Sequence, residues 1–450
     1  MSRIRIIITI IVVVLTTLLT GCTGKEPNEI AYVVALGIDS TDDDNYKITI
    51  QYANTTQISG GASESGGKAG SEIVDNVTIE APNIYAGVGL ANNIVSKSFS
   101  MSHAKLIVFS KEIAEKGVKD MIETLVRSEE IRPDVFIAVA NTTANDYLTS
   151  VNPEMEVNPA QYYQLIYQKN QLVGIPDGQL REFFTGLYTD NYDSILPVAG
   201  VIEGSGGNSQ NDDKGQSKDS QNEGSEGSSE SLDSFESKSS NEKDENEKEK
   251  DAEKNTSKYE YDIKNHIGGE TTIEKKNKAE AIGAAVFEKD KMVGELGEVE
   301  TEICKMLKGD YTYSYLTYYN NDTPDIPITV KTTQQKKPKY KIDTDKKTVD
   351  IELYIESDLY SLPADYNVEN KIEDFERDVA NYTSSACTEF INNFTKKYNS
   401  DILKLNEKVK YKFLTNNQYN WFKKNVGWSE YKFSVCTNFK VRRTGLIVRE

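Results

Sequence analysis

The chain has 450 residues, 37% hydrophobic and 27% charged. That length predicts two or three domains, because a single core stops growing at about 250–300 residues. A net charge of −19 argues against general binding to nucleic acid and against attraction of most of the surface to anionic lipids. Four cysteines are too few for the disulfide framework of a small secreted domain.

The N-terminal segment carries Arg3 and Arg5, a short apolar run, and the tetrapeptide Leu19–Cys22 (LTGC). This layout predicts a signal peptide over residues 1–21. As a helix, about 16 apolar residues span about 24 Å, which is less than the hydrocarbon core of about 30 Å. The tetrapeptide resembles a bacterial lipobox, which implies that Cys22 receives a diacylglyceryl group and acyl chains such as palmitate. We therefore expect a membrane anchor on the outer face; an uncleaved N-terminal anchor is the alternative.

A continuous apolar run over Ile30–Ile38 predicts a buried strand, and the alternation from Tyr46 to Tyr52 predicts its hairpin partner. Further along, the pattern predicts a β-β-α-β-α-β unit of mixed sheet and helix. Its later elements are a helix from Ile84 to Val95, a strand over Leu106–Phe109, a helix from Val118 to Leu125 for which Ser110 is the candidate N-cap, and a strand over Val135–Ala140.

The middle of the chain is helical in character as far as Tyr192, and Ile195–Ile202 reads as a strand. The segment 203–258 is built almost entirely from polar and charged residues, so it predicts a disordered acidic insertion. Beyond it, the sequence predicts a strand over Ala281–Phe287 that turns back through Met292, and then a helix over Glu298–Leu307. We interpret 203–258 as an insertion in a loop, not as a linker between domains.

Toward the C-terminus, Val349–Glu356 alternates as a half-buried strand does. A long helix starts near Val368, and its apolar stripe includes Phe375 and Val379. Phe433 and Val441 mark closing strands. These elements form an α+β unit.

The predicted class is therefore α+β (mixed α/β) in three domains, each a small mixed sheet with packed helices. The predicted boundaries are 22–150 for an N-terminal α/β domain, 151–325 for a middle domain interrupted at 203–258, and 326–450 for a C-terminal α+β domain.

Residues for catalysis or metal binding are scarce. Two histidines, His103 and His266, do not make a zinc site or a charge-relay triad. The acidic cluster that begins at Asp39 lacks the Glu that an EF-hand needs at its twelfth position, where Ile50 stands. We predict no catalytic residue, no metal and no cofactor, and the partner-binding residues remain unknown.

Besides Cys22, the chain contains Cys304, Cys387 and Cys436. Their spacing forms no CxxC motif, and at most one disulfide is available to three cysteines. We interpret them as small buried hydrophobic residues.

The C-terminal stretch 396–450 carries 13 basic and 4 acidic residues, a local charge of +9. It is either a solvated basic surface or a face that docks on anionic headgroups or on an acidic partner. The docking alternative predicts an association that weakens as salt increases.

Several sequence blocks occur in a fixed order after the lipobox. They are Ala35–Asp39 (ALGID), Ser102–Val108 (SHAKLIV), Ala114–Val118 (AEKGV), Arg127 before Ile131–Arg132, Gly283–Leu296 (GAAVFEKDKMVGEL), Asn420–Trp421 and Arg442–Leu446 (RRTGL). Together they resemble the Ger(x)C family, the lipoprotein C subunits of spore-germination nutrient receptors. The long acidic insertion departs from the family pattern.

This resemblance implies a three-domain, non-enzymatic α/β protein on the outer leaflet of the spore's inner membrane. It also implies two integral-membrane partners, the A and B subunits of a germinant receptor, and a lipid on Cys22. Gly37, Gly294 and Gly445 are expected where strands end or turn. Two other functions stay open at this point: a solute-binding lipoprotein of a transporter and, third, an extracytoplasmic hydrolase with a carboxylate-only site.

Overall fold

A computed structural model describes residues 3–9, 29–43, 45–53, 74–153, 156, 158–168, 174–189, 191–202, 265–271, 277–320, 323–361, 371–398 and 400–444. Cys22, most of the predicted signal peptide and the whole of the predicted insertion 203–258 lie outside these residues.

The first sheet is mixed, with the strand order β3-β2-β1-β5-β6-β7-β8-β9, and β4 pairs with the start of β1. Its strands are β1 (Ile30–Ser40), β2 (Tyr46–Ala53), β3 (Val74–Ala81), β4 (Ser98–Ser100), β5 (Leu106–Ser110), β6 (Phe136–Ala140), β7 (Ile195–Val201), β8 (Ala279–Glu288) and β9 (Lys291–Leu296). The central strands β1, β5, β6 and β7 are parallel, and the strands on either side are antiparallel. The predicted insertion thus belongs to the connection between neighbouring strands β7 and β8.

Helices cover both faces of this sheet, which explains why its parallel strands are apolar without alternation. They are α1 (Ile84–Ala91), α2 (Lys111–Lys116), α3 (Lys119–Val126), α4 (Ala144–Ser150), α5 (Pro159–Gln168) and α6 (Leu180–Thr189). Ile107 and Phe109 of β5 pack in one core with α1, α2, α3 and α6. Leu106 and Val108 pack in the opposite core with α4 and α5.

The second sheet has the order β10-β11-β13-β12, and β14 pairs in parallel with β13. Its strands are β10 (Tyr313–Asn320), β11 (Thr323–Gln334), β12 (Lys339–Asp343), β13 (Thr348–Ser361) and β14 (Lys432–Arg443), and the helices of this part are α7 (Glu298–Lys308), α8 (Ile372–Lys397), α9 (Leu405–Val409) and α10 (Asn416–Asn425). A parallel pair needs a crossover connection, and α8 lies in the one between β13 and β14.

A third hydrophobic core joins the two sheets. It contains Ile195 and Val286 of the first sheet, Cys304 of α7, and Leu353 and Phe433 of the second sheet. The mixed α/β class is confirmed. The described residues hold two sheets rather than one for each predicted domain, because β7, β8 and β9 extend the sheet that β1 begins. The domain boundaries themselves stay a prediction.

One predicted helix is two helices. Ser110 accepts a hydrogen bond from the Ile113 amide (3.4 Å) and so caps α2, not the helix that contains Leu125. Gly117 then adopts φ +124°, a conformation that favours glycine and ends α2 before α3 begins.

Several strands escaped the sequence analysis. β3 is an edge strand in which exposed polar residues alternate with partly buried Val77 and Ile79, and two apolar residues of this kind give only a weak signal. β10, β11 and β12 are rich in tyrosine, threonine and lysine, which pair across strands but give a weak apolar signal. The closing strands predicted around Phe433 and Val441 are one strand, β14.

Candidate functional site

The structure separates the residues that the sequence singled out. His103 is exposed, contacts the Ser102 hydroxyl through Nδ1 at 3.0 Å, and packs edge-on against the Tyr32 ring at 4.8 Å. His266 lies elsewhere, where its carbonyl accepts the Glu298 amide at 2.8 Å. Neither contact is a catalytic arrangement, and no cluster able to hold a metal ion occurs among the described residues.

The residues of the acidic cluster differ in how far they are buried. Asp42 and Asp43 are exposed, whereas Asp39 is buried and its carboxylate accepts the amides of Ala144 (2.6 Å) and Asn145 (3.0 Å). Asp39 therefore satisfies two free N–H groups at the start of α4 from a strand far away in sequence. Burial raises its pKa against the effect of these amides. Its role is structural.

Two of the cysteines confirm the sequence interpretation. Cys304 and Cys387 are fully buried in the core between the sheets, and burial raises the pKa of each thiol to about 12. Cys436 is exposed on β14, so the interpretation as a buried hydrophobic residue is wrong there. All three are free thiols.

The glycines of the family blocks do not lie where the sequence analysis expected them. Gly37 and Gly294 lie within β1 and β9 rather than at strand ends or turns. At Gly37 a β-carbon would press on Ala144 and Leu148 of α4. These positions need glycine for a close approach of packed elements. Gly445 lies outside the described residues.

A polar network in the contact region between the two sheets centres on Asp193 and Asp401. Asp193 stands in the turn between α6 and β7, and Asp401 in the turn after α8. The Asp401 amide donates to Asp193 Oδ2 at 2.8 Å, and the Asp193 amide donates back to the Asp401 carbonyl at 3.2 Å. Asp193 Oδ1 also accepts the Lys289 amide at 2.9 Å. These hydrogen bonds tie the first sheet to the segment that follows α8; we call this contact the aspartate junction.

Asp401 also organises its own segment. Its two carboxylate oxygens accept the amides of Leu405 and Asn406, each at 2.8 Å, which provides the capping that the start of α9 requires. Beside it, the Ser400 hydroxyl donates to the Phe287 carbonyl at 2.9 Å. Asp401 thus both contacts the turn before β7 and shapes the turn after α8.

Two lysines of the C-terminal part extend the aspartate junction by binding α6 and the turn after it. Lys404 forms an ion pair with Glu182 (2.6 Å) in which both side chains are about one-third exposed. Lys423 of α10 donates to the Thr189 carbonyl (3.2 Å) and to Asn191 Oδ1 (3.1 Å). Several C-terminal lysines are therefore used inside the fold rather than presented to solvent.

Burial sets the electrostatics of the junction. Complete burial raises the pKa of Asp401 to about 7 against the two amides it accepts, and the nearby Asp193 raises it further. Burial also raises the pKa of Asp193. For Glu182 the burial effect is outweighed by Lys308 and Lys404, which hold its pKa below the usual value.

A cleft of about 570 Å³ adjoins the junction. Its lining includes Lys289, Lys423, Lys424, Asn420 and Trp428 in addition to the two aspartates. Pockets for small molecules are mostly apolar, whereas this cleft is lined largely by polar and charged groups. Its buried carboxylates accept backbone amides, so the arrangement stabilises a contact between two parts of the body.

The sequence analysis did not identify Asp193 or Asp401. The two are separated by more than 200 residues, and neither belongs to a motif. The only local signal was an aspartate shortly before the short α9, a position where a helix N-cap is common.

Comparison with known proteins gives two family matches in this chain. Residues 24–201 match the family described as "Spore germination protein N-terminal domain". Residues 282–445 match "Spore germination B3/ GerAC like, C-terminal". Together the two matches cover nearly all of both described sheets.

Curated relatives are similar over part of their length. Spore germination protein KC of Bacillus subtilis (strain 168) is 26% identical over 176 residues, which is 36% of this chain and 43% of that protein. The putative spore germination protein YfkR of the same organism is 28% identical over 145 residues, 32% of this chain and 37% of that protein. The matched regions thus span less than half of these relatives.

A solved structure, "Crystal Structure of the GerBC protein", aligns over 90% of this chain and 96% of its own, with 15% identity and a TM-score of 0.48. No described helix is both long and apolar enough to cross a bilayer. On the two family matches, the chain belongs to the Ger(x)C family, the C subunits of spore-germination receptors.

Proposed function

We propose that this protein is a lipid-anchored, non-enzymatic subunit of a germinant receptor, held through Cys22 on the outer face of the spore's inner membrane. There it scaffolds the integral-membrane A and B subunits and couples nutrient binding in them to the germination response. The observation that carries this proposal is the pair of family matches over residues 24–201 and 282–445. The sequence Leu19–Cys22 supplies the lipid acceptor.

The described fold supports a scaffolding role. A shared core and the aspartate junction hold the two sheets together, so the body can transmit force between partners instead of bending at a loose linker. A scaffold changes a receptor's response by binding one receptor conformation more tightly than the other. The non-enzymatic part of the proposal is supported by Asp193 and Asp401, whose buried carboxylates serve the fold.

A genetic experiment tests the anchor and the pathway together. The gene is deleted in a sporulating host and restored as wild type, as Cys22→Ala, or as Cys436→Ala, which removes an exposed cysteine that has no predicted lipid. We expect the nutrient response to be lost on deletion, restored by wild type and Cys436→Ala, and poorly restored by Cys22→Ala. Germination by a receptor-independent trigger should be normal in every strain. A normal nutrient response in the deletion strain, with no second receptor set present, would contradict the proposal.

A second measurement isolates scaffolding from sensing. If the body stabilises the A and B subunits, their amounts in the spore inner membrane should fall in the deletion strain and recover with wild type. Unchanged amounts would exclude stabilisation and leave only a coupling role.

The solute-binding alternative predicts micromolar binding of an amino acid or sugar to the full chain. Calorimetry measures this binding directly, and we expect to detect none.

A further inference from the structure

Three large apolar side chains stand in solvent within one short segment of the C-terminal part. Leu414 is 94% exposed, Tyr411 79% and Trp421 64%. Leu414 lies just before α10 and Trp421 lies within it, and the helix rises only about 8 Å from Asn416 to Trp421. The three exposed side chains therefore belong to one short segment of the chain.

The segment that presents these side chains is anchored by packing. The Phe413 ring packs at a tilt against the rings of Phe422 (4.9 Å between centroids) and Tyr419 (5.8 Å), and both of these partners are buried. The Tyr419 hydroxyl donates to Asn191 Oδ1 at 3.1 Å. The exposed residues are thus carried on a frame fixed to the body.

The charge of the segment is opposite to that of the chain. Residues 408–424 contain five lysines and no acidic residue, in a protein of net charge −19. Lys408, Lys412 and Lys423 donate to carbonyl groups of the fold, whereas Lys410 and Lys424 are exposed. A lysine near an anionic membrane surface favours association about fivefold, and amphipathic aromatic rings favour the membrane interface.

The segment lies at the end of the sheet where the N-terminal tether begins. Lys423 holds α10 to the turn at Thr189 and Asn191, which leads into β7. β1 and β7 are parallel to the intervening β5 and β6, so both enter the sheet from the same end, and three strand spacings separate the two strand axes by about 14 Å. An anchor on Cys22, a few residues before β1, would bring this end toward the bilayer.

We infer that Tyr411, Leu414 and Trp421, with Lys410 and Lys424, form a docking surface for an anionic lipid bilayer. The aromatic rings and the leucine enter the headgroup region, and the lysines pair with lipid phosphates while their stems cover the apolar side chains. The inference rests on the proposed anchor, which raises the local concentration of this surface at the membrane. Docking fixes the orientation of the body above its partners.

The test uses the full chain in vesicles of phosphatidylglycerol and phosphatidylcholine, some of them made with lipids brominated in their acyl chains. Flotation reports the N-terminal anchor, and quenching of tryptophan fluorescence by the brominated lipids reports docking. The chain has two tryptophans, and Trp428 is 7% exposed, so Trp421 is the reporter. We expect quenching in anionic vesicles, less of it in phosphatidylcholine alone, and a decrease as salt increases.

Variants separate the surface from the anchor. Trp421→Phe should float as wild type and lose the quenching, whereas Leu414→Ser and the pair Lys410→Glu and Lys424→Glu should float and show reduced quenching. Ile94→Ser, which changes an apolar residue 69% exposed after α1, is the matched control and should behave as wild type. Failure to float would overturn the anchor, whereas flotation without any Trp421 quenching would overturn docking and assign the surface to an acidic protein partner.

Discussion

The ring of Tyr398, the residue that follows α8, lies directly on Gly294 in β9. A β-carbon at position 294 would overlap the phenol ring, so glycine at this position is a condition for α8 to reach the first sheet. Tyr398 is buried in the core between the sheets, beside the segment that carries Asp401.

Gly294→Ala should destabilise the protein by about 1–3 kcal/mol, because it overpacks the contact with Tyr398. Gly89→Ala is the control: nothing lies within 4 Å of its added β-carbon, and it lies in α1, where alanine is favoured over glycine by about 1 kcal/mol. Denaturant unfolding of both variants measures the difference. If Gly294→Ala is as stable as wild type, the Tyr398 ring moves aside without cost.

Asp39→Ala should remove the acceptor of two α4 amides and lower the free energy of unfolding by about 1–3 kcal/mol. Asp42→Ala changes an exposed residue of the turn that follows β1 and should remain within about 0.5 kcal/mol of wild type. A loss of similar size in both variants would argue for joint cation binding, as would a calcium-dependent rise in Tm.

Asp401 makes the aspartate junction sensitive to pH. Its pKa is raised to about 7 in the fold and is about 3.9 in an unfolded chain, so the folded state binds more protons between these values. Stability from this group is therefore fully present at low pH and decreases as pH rises from about 4 to about 7. Asp401→Asn stays neutral, so the variant should gain about 2 kcal/mol relative to wild type between about pH 5 and pH 8.

The measurement for Asp401 is denaturant unfolding of wild type and variant at several pH values in one buffer system. At low pH the variant should be less stable than wild type, because an amide NH₂ cannot accept the Asn406 amide as a carboxyl oxygen does. Asp42→Asn should follow the wild-type profile because its side chain is exposed. A difference between Asp401→Asn and wild type that stays constant with pH would contradict the titration of this site.

The thiols should differ sharply in reactivity. In a Cys22→Ala chain, a thiol reagent should modify Cys436 quickly, and Cys304 and Cys387 only on unfolding, because burial raises their pKa to about 12 and blocks access. Adding Cys436→Ala should abolish the fast reaction. Fast modification of a second thiol in the native protein would show that the core between the sheets opens readily.

The elements with strong apolar patterns were predicted well, and those with mixed patterns were not. β5, β7 and β8 and the long helix α8 carry runs or stripes that burial on one or two faces requires. The edge strand β3 and the strands β10 and β12 carry only short or weak apolar patterns, because cross-strand pairs and partial burial stabilise them. Gly117 divides α2 from α3 through a positive φ that no apolar period reveals.

The sequence alone determined the mixed α/β class, the family, the predicted lipid acceptor Cys22 and the excess of lysine near the C-terminus, because all of these are properties of local pattern and composition. Only the tertiary structure decided that Asp193 meets Asp401, that Asp39 caps α4, and that Tyr411, Leu414 and Trp421 remain in solvent. Contacts between residues far apart in the chain depend on how whole elements pack. A leucine can be buried or exposed, and a lysine paired or free, according to which residues lie opposite it in the fold.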